Sequence, residues 1–210
     1  MVKLSPWTKA ARLLPAFTGA VLALAQPAAA EQRACHVAEV AGEATLIHGG
    51  DRADVKSGMA LSAKDQLRTG PSGRLEVLCS DETRVTVGPD TDIGLGSLMG
   101  ERGEDTSVGM SLHRGIARFL APVRTWGTFN VFGPVAVASV RSTEWVMETP
   151  KRGTNVFVIK GVVEVQGKRG NAVRLSPAEG VDVAADGTMA APKKWGPKRV
   201  ADVLARLGLQ

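Results

Sequence analysis

The chain has 210 residues, of which 44% are hydrophobic and only 4% aromatic, and its 26 Lys and Arg exceed its 21 Asp and Glu by five. Charges of both signs are interspersed, without the concentrated positive patch that nucleic-acid binding requires, so a nucleic-acid partner is not indicated. The length suits one domain with an appendage.

Residues 1–30 have the features of a cleavable secretory signal peptide. A positive start is followed by an apolar segment at residues 13–24 and by three alanines at 28–30, which are typical of a cleavage site. The apolar segment is shorter than the roughly 20 residues that a membrane span needs, so an uncleaved anchor is the less favoured alternative. We expect an exported mature chain without a stable membrane span, and its charge balance falls to 23 cations against 21 anions because Lys3, Lys9 and Arg12 are removed.

Residues 31–183 are predicted to form an all-β domain, because short β-branched segments alternate with Gly, Pro and Asp. The predicted strands cover residues 43–47, 74–79, 83–87, 92–96, 111–120, 135–141, 155–159, 162–165, 174–175 and 181–183. Gly115 predicts a bulge or kink inside its strand. Residues 103–107 and 151–154 are predicted to be loop or turn, because they are polar and contain Gly. The pattern favours a twisted two-sheet fold or an irregular β-solenoid, and both alternatives remain open.

A short amphipathic helix is predicted within residues 197–210, after a linker at 184–196 that is expected to be exposed. Pro197 suits a first helical position and Gly208 suits a C-cap. The apolar positions follow helical spacing and are Val200, Val203, Leu204 and Leu207. Two interpretations remain: the apolar stripe caps an open end of the β-domain, or it docks on another protein with Lys198, Arg199 and Arg206 on its polar side.

The two cysteines, Cys35 and Cys79, are an even pair in a chain that is expected to reach an oxidising compartment. A disulfide between them is the favoured hypothesis, and two buried free thiols are the alternative. The histidines stand singly in the sequence, so no metal site is predicted; they are His36, His48 and His113.

No catalytic or cofactor-binding residue is predicted. Glu144 and Glu148 share one face of a strand, but at about 3.3 Å per residue their separation exceeds the roughly 5–9.5 Å of a glycosidase pair. Ser139 and Ser142 have no His near them in sequence, and no Gly-rich phosphate loop precedes a helix. The sequence therefore favours binding over catalysis.

Several motifs in a fixed order resemble the FecR family, a periplasmic module named for the ferric-citrate regulator. They are Gly-Glu-Ala-Thr-Leu at 42–46, Gly-Met-Ala-Leu at 58–61, Asp-Gln-Leu-Arg-Thr-Gly at 65–70, Ser-Gly-Arg-Leu-Glu-Val at 72–77, Leu-His-Arg-Gly at 112–115, Val-Arg-Ser-Thr-Glu-Trp at 140–145, Gly-Thr at 153–154 and Val-Ile-Lys-Gly-Val-Val-Glu-Val at 158–165. The resemblance covers roughly residues 37–183.

The resemblance identifies a set of signature residues whose role is expected to be structural. They are Gly42, Gly58, Asp65, Thr69, Gly70, Arg141, Thr143, Glu144, Trp145, Gly153, Thr154 and Gly161. Arg141 and Glu144 are expected to pair with each other. Two positions depart from the family pattern: Ser142 replaces the usual Gly, and Glu82 stands where Gly is common, so that turn should not be of type I′.

The resemblance implies a non-enzymatic, exported protein-interaction module in envelope signalling or regulation, located in the periplasm or secreted by a Gram-negative type of bacterium. Its partner is expected to be another envelope protein, either a receptor or a signalling membrane protein. Regulation of a sigma factor across the membrane is not expected to carry over, because a signal peptide stands where the family has cytoplasmic and transmembrane segments. The family's C-terminal subdomain is expected to be either missing or reduced to the short helix. The alternative is a structural module or one that binds glycan or peptidoglycan. Exposed Trp126 and Trp145 would favour that alternative, and buried ones a protein partner.

Overall fold

The structure is a computed structural model that describes residues 34–96, 103–122, 126–151 and 153–209. The predicted signal peptide lies outside these residues. Within the described ranges, no helix has the length and apolar character needed to cross a bilayer.

The first of two sheets is antiparallel throughout its described pairs. In spatial order it contains β4 (Ala60–Leu61), β1 (Cys35–Ala41), β6 (Arg74–Cys79), β7 (Arg84–Val87), the later part of β9 (Gly103–Ala121), β12 (Thr143–Thr149), β13 (Gly153–Lys160), β16 (Glu179–Ala184) and β17 (Lys193–Lys194).

The second sheet shares β9 with the first. In spatial order it contains β3 (Asp51–Asp54), β2 (Ala44–His48), β5 (Gln66–Thr69), β8 (Asp92–Gly94), the earlier part of β9, β10 (Trp126–Phe132), β11 (Ala136–Val140), β14 (Val163–Gly167) and β15 (Ala172–Leu175). The β9–β10 pair is parallel. The connection between the paired segments includes the later part of β9, which belongs to the first sheet. The predicted two-sheet fold with one short helix is confirmed, and β9 adds a single solenoid-like coil to it.

The strand β9 changes sheet at Gly115. That residue has φ +93°, a conformation that Gly adopts without the steric cost of a Cβ. The predicted kink is therefore present. The expected loop at residues 103–107 was wrong, because this segment starts β9 and pairs with β10, placing Gly103 opposite Trp126 and Ser107 opposite Thr128. The polar composition of this segment did not indicate a strand, because the strand is stabilised by pairing with β10, which lies about twenty residues later in the sequence.

Aromatic side chains join the two sheets in the main core. Trp145 of β12 is fully buried and stacks on Phe119 of β9, with ring centroids 5.1 Å apart. Phe129 of β10, in the second sheet, makes an edge-to-face contact with Trp145, and the two ring centroids are 5.5 Å apart. Offset and edge-to-face aromatic contacts add to the free energy gained by burying such large apolar surfaces. Trp145 is thus a core residue and not a surface platform.

The helix α1 (Pro197–Arg206) covers part of the outer face of the first sheet. Pro197 opens it, and Gly208 follows the C-cap with φ +77°, as the sequence indicates. Its buried Val203 and the following Leu207 pack on a second apolar cluster formed by Ile116, Val146, Phe157 and Trp195. The apolar stripe is therefore occupied within the chain, on a sheet face instead of at an open end.

Charged side chains also tie α1 to the sheet. Arg206 donates to Glu148 over 2.6 Å, and Arg199 donates to Asp182 over 2.9 Å. The guanidinium carbon of Arg199 also lies 3.4 Å from the centroid of the Trp195 ring, a cation–π contact. Two of the three cations assigned to the polar side of the helix therefore have partners on the domain itself.

The segment 184–196 is not simply an exposed linker. Lys193 and Lys194 form β17, and Trp195 is buried against Phe157 with ring centroids 4.9 Å apart. Composition rich in Ala, Gly, Pro and Lys indicated exposure, but the single Trp anchors the end of the segment. The predicted turn at 151–154 was also too long, because Gly153 and Thr154 already belong to β13.

The two cysteines lie opposite each other on β1 and β6. Their sulfur atoms are 1.97 Å apart and their Cα atoms 3.9 Å apart, and the cysteines are separated by 44 positions in sequence. The disulfide would join β1, the first described strand, to its neighbour β6 in the first sheet.

We expect the purified mature protein to contain no free thiol when it is denatured without reductant and titrated with Ellman's reagent. The Cys35→Ser, Cys79→Ser double variant should lose roughly 2–4 kcal/mol of unfolding free energy in guanidinium titrations, because the crosslink restricts the unfolded chain. Two reactive thiols in the native protein would contradict this prediction.

Val203→Asp should lower the free energy of unfolding by roughly 2–4 kcal/mol, because it places a charge in the apolar contact beneath α1. Ala201→Asp is the matched control: Ala201 is exposed on the same helix, so the change should stay within about 0.5 kcal/mol. Urea titration followed by Trp fluorescence measures both. Equal losses in the two variants would show that the helix does not pack as described.

Candidate functional site

The two sheets differ in what covers their outer faces. The first carries α1, whereas every described outward-facing residue of β10, β11, β14 and β15 in the second sheet is exposed or half-buried. These outward-facing residues are Thr128, Asn130, Phe132, Val137, Ser139, Glu164, Gln166, Ala172 and Arg174, and they are called the open face below.

A polar row crosses the middle of the open face. Strand register places Asn130 opposite Ser139, Ser139 opposite Glu164, and Glu164 opposite Arg174. Ser139 Oγ donates to Asn130 Oδ1 and Asn130 Nδ2 donates to Ser107 Oγ, each over 2.7 Å. These bonds fix the neutral half of the row, while the charged half faces solvent.

Apolar side chains lie on both sides of this row. Phe132 of β10 and Val162, which precedes β14, are each 46% exposed, and they are the large hydrophobic side chains that stand out in the described part of the surface. Phe132 lies opposite the half-buried Val137. Protein–protein interfaces combine exposed apolar side chains with polar groups, and both kinds are present on the open face.

A groove of about 740 Å³ lies at the end of the open face nearest Val162. Its walls are Thr128, Ser139, Val140, Arg141, Ser142, Thr143, Gly161, Val162, Glu164 and Arg174. The lining thus combines two guanidinium groups, one carboxylate and several hydroxyls, with neither His nor Cys among these residues. The hydroxyl of Ser139 donates to Asn130 Oδ1 and so is not paired with a general base.

Three signature residues build this groove. Thr143 Oγ1 donates to the carbonyl oxygen of Val162 over 3.0 Å and ties the two walls together. Gly161 has φ +87°, and a Cβ on it would lie 2.6 Å from the carbonyl oxygen of Ser142. Arg141 is exposed and contributes its side chain to the lining. Ser142 itself has no positive φ, which explains why Ser is accommodated where Gly is usual.

The expected Arg141–Glu144 pair was wrong. Glu144 instead accepts two hydrogen bonds from Arg118, from Nη2 over 2.7 Å and from Nε over 2.9 Å. Arg118 lies on β9, which neighbours β12 in the first sheet, and so it shares the outer face of that sheet with Glu144. Arg141 precedes β12 and faces the groove. The correct partner is 26 positions away in sequence, so the short-range motif offered no signal for it.

The buried carboxylate of Asp65, which precedes β5, holds a turn at the other end of the second sheet. Asp65 is 4% exposed and accepts hydrogen bonds from Ser62 N over 2.7 Å and from Ser62 Oγ over 3.0 Å. His48 Nδ1 lies 2.6 Å from the same carboxylate and 3.4 Å from Ser62 Oγ. In a catalytic triad the carboxylate binds Nδ1 of the imidazole, and Nε2 is the base for the serine. Here Asp65 and Ser62 both lie near Nδ1 of His48, so the cluster stabilises a turn and does not form a catalytic triad. Sequence reasoning treated His48 as isolated and missed the cluster.

The remaining N-terminal signature residues close turns. Thr69 Oγ1 donates to the carbonyl oxygen of Gly88 over 2.6 Å and accepts from Thr91 N over 2.9 Å. Gly70 N donates to Glu43 O over 2.9 Å. Gly42 and Gly58 have φ +69° and +82°, which only Gly adopts readily.

The two signature residues at the start of β13 serve packing. Gly153 lies opposite Ala184, and a Cβ on it would lie 2.4 Å from the carbonyl oxygen of Val183. Thr154 is fully buried. Glu82, the second departure from the family pattern, takes φ +67° and is the one described residue of its turn with positive φ, so the turn is not of type I′.

Hydrogen bonds from Thr188 lower the pKa of Asp186, and a hydrogen bond to Asp202 raises the pKa of Lys198. Among the described residues, no group of three or more His, Cys, Asp or Glu side chains is arranged to hold a metal ion.

Comparisons with known proteins agree with the sequence motifs. Residues 65–164 match the profile of the family described as FecR protein, and the resemblance drawn from the sequence is thereby confirmed over this range. The matched range contains the groove walls except Arg174, and most of the signature residues. No curated protein sequence matches the chain.

The fold is similar to that of a proposed anti-sigma factor from Parabacteroides distasonis ATCC 8503, in crystal structures at 1.65 Å and 2.50 Å resolution. For each, the TM-score is 0.55 and the sequence identity is 18%, over 65% of this chain and 62% of the other. The chain thus spans less than two thirds of the length of that protein, and the likeness concerns the fold.

Gly161→Ala should destabilise the domain by about 3 kcal/mol or more, because it adds both positive-φ strain and a clash with the Ser142 carbonyl. Gly170→Ala is the matched control: Gly170 has φ +81°, but no atom lies within 4 Å of the place where its added methyl group would stand, so a loss of about 1–2 kcal/mol is expected. Guanidinium titration compares the two. Equal losses would mean that the Gly161–Ser142 contact is not tight.

Proposed function

We propose that the mature chain is exported to the periplasm and acts there as a non-enzymatic FecR-like module that binds another protein in cell-envelope signalling or regulation. The observation that carries this proposal is the open face. Most signature residues are used in turns and core, whereas Arg141 is exposed in a groove formed largely by the matched range. A scaffold that is rigid elsewhere and open here is suited to recognition.

The chemistry of the open face favours a protein partner. Phe132 and Val162 supply exposed apolar contacts on either side of a row that ends in Glu164 and Arg174. Charges of both signs lie together, which suits a complementary protein surface better than a polyanion. An envelope receptor or a signalling membrane protein is the class of partner that the family resemblance suggests, and the proposed role of the structural neighbour is compatible with regulation.

The glycan-binding alternative has less support. Trp145 is buried between Phe119 and Phe129, so it is not available to stack on a sugar ring. Trp195 is also buried, and the side chain of Trp126 lies outside the described residues. A sugar site would depend on Phe132 as its exposed aromatic platform within the described surface.

A photo-crosslinking amino acid placed at Gln166 on the open face tests the proposal in cells. We expect adducts with a discrete envelope protein, identified by mass spectrometry, because the open face would contact that partner. The same residue placed at Ala201, exposed on α1 over the other sheet, is the control and should give few adducts. Recovery of murein fragments alone, or equal protein adducts from both positions, would contradict the proposal.

A further inference from the structure

We propose that the free edge of β15 receives an extended, acidic segment of the partner protein, which adds to the second sheet as a further strand. This inference rests on the proposed function and specifies how the partner is bound. It concerns the backbone of residues 172–175 together with Arg174 and Arg141 of the adjoining groove.

The four end strands of the two sheets are not equally protected. Edge strands are normally blocked by charges or by shortness, because their unpaired backbone groups attract other strands. On the second sheet, β3 has the sequence Asp-Arg-Ala-Asp and is exposed throughout. On the first sheet, β4 and β17 have two residues each. The strand β15 is four residues long with the sequence Ala-Val-Arg-Leu, so it has one charged side chain where β3 has three, and it is longer than β4 and β17.

The backbone of β15 is paired on one side. Its described partner is β14, with Val163 opposite Leu175 and Gln166 opposite Ala172. Among the described residues no other strand pairs with β15, and Ala172 and Arg174 beside its second edge are exposed. A strand that pairs there gains main-chain hydrogen bonds of the kind used by domains that bind peptides by β-augmentation.

The charges beside this edge select the chemistry of the incoming strand. Strand register places Ser139, Glu164 and Arg174 in one line, so an added residue opposite Arg174 would continue the row Ser–Glu–Arg. Opposite charges in directly facing positions stabilise a sheet, and like charges destabilise it. An Asp or Glu at that position would therefore face Arg174. Arg141 on the groove wall adds a second positive charge.

The turn before β15 is also basic. It carries Lys168 and Arg169, and Arg169 is paired with Asp186 at 2.8 Å. Glu164 is the carboxylate among the described groove residues, and it is already opposite Arg174. Cations therefore outnumber anions along the path of the added strand, which favours an acidic segment over a basic one.

Selection from a displayed library of random peptides against the mature protein tests the inference. We expect enriched sequences in which β-branched residues alternate with Asp or Glu. On binding of the synthesised peptide, amide hydrogen exchange should slow at residues 172–175. Two further peptides carry N-methyl groups at either the odd or the even positions. Only the one whose methyl groups replace the N–H donors that face β15 should lose binding.

Arg174→Glu should weaken binding of the enriched peptide by roughly tenfold, because a repulsion replaces an attraction at the facing position. Arg52→Glu is the matched control, since Arg52 is exposed on β3 at the opposite edge of the same sheet. Its affinity should stay within about twofold. Circular dichroism of both variants checks that they are folded.

Any of four results of the peptide experiments would overturn the inference. They are failure to enrich any peptide, enrichment of neutral or basic sequences, exchange protection elsewhere than at β15, and equal affinity of the Arg174 and Arg52 variants. Slow exchange at residues 172–175 in the peptide-free protein, with a dimer in light scattering, would assign the edge to a second copy and also overturn it. If crosslinking from Gln166 still recovers an envelope protein, the proposed function stands although the strand addition fails. If no protein is recovered, the proposed function itself fails.

Discussion

The two sheets can share one core because β9 passes from one to the other at Gly115. The positive φ of this residue brings its backbone against Thr91, and a Cβ would lie 2.3 Å from Thr91 Oγ1. The same hydroxyl accepts a hydrogen bond from Ile116 N over 3.0 Å, so the backbone at the crossing is paired and not left buried without a partner. On the first-sheet side of the crossing, β9 places Phe119 against Trp145. The aromatic core, the parallel β9–β10 pair and the position of the open face all depend on this one change of sheet.

The sequence predicts those features that depend on local chemistry. Alternating β-branched segments predicted most strands, helical spacing with Pro197 and Gly208 predicted α1, and Gly115 predicted the kink. The features that depend on distant pairing could not be obtained in this way. Polar residues at 103–107 form a strand because β10 pairs with them.

The candidate site shows the same division. Arg141, Thr143 and Gly161 of the signature lie on the groove walls, whereas the sequence indicated only a structural role for them. The Glu144–Arg118 pair joins residues 26 positions apart in sequence, and the His48–Asp65 contact joins residues 17 positions apart. Neither follows from spacing along one strand, since both depend on which strands become neighbours. Trp195 was missed for a related reason: composition describes a segment on average, whereas burial is decided by the one side chain that finds a partner.

The outer faces of the two sheets differ in chemistry, and this difference is consistent with the proposed binding surface. The first sheet presents Ile116, Val146 and Phe157 on its outer face, and α1 removes this apolar surface from water. The second sheet presents mainly hydroxyls, amides and charges there, together with the exposed Phe132, and polar groups of this kind can stay in contact with water without a covering layer. A module that places its helix on one side and leaves the other uncovered keeps a surface that a partner can reach without first displacing part of the fold. The signature residues fit this arrangement, because most of them hold turns and core. Arg141, Thr143 and Gly161 line the groove at the end of the open face, and Arg141 is the exposed one of these three.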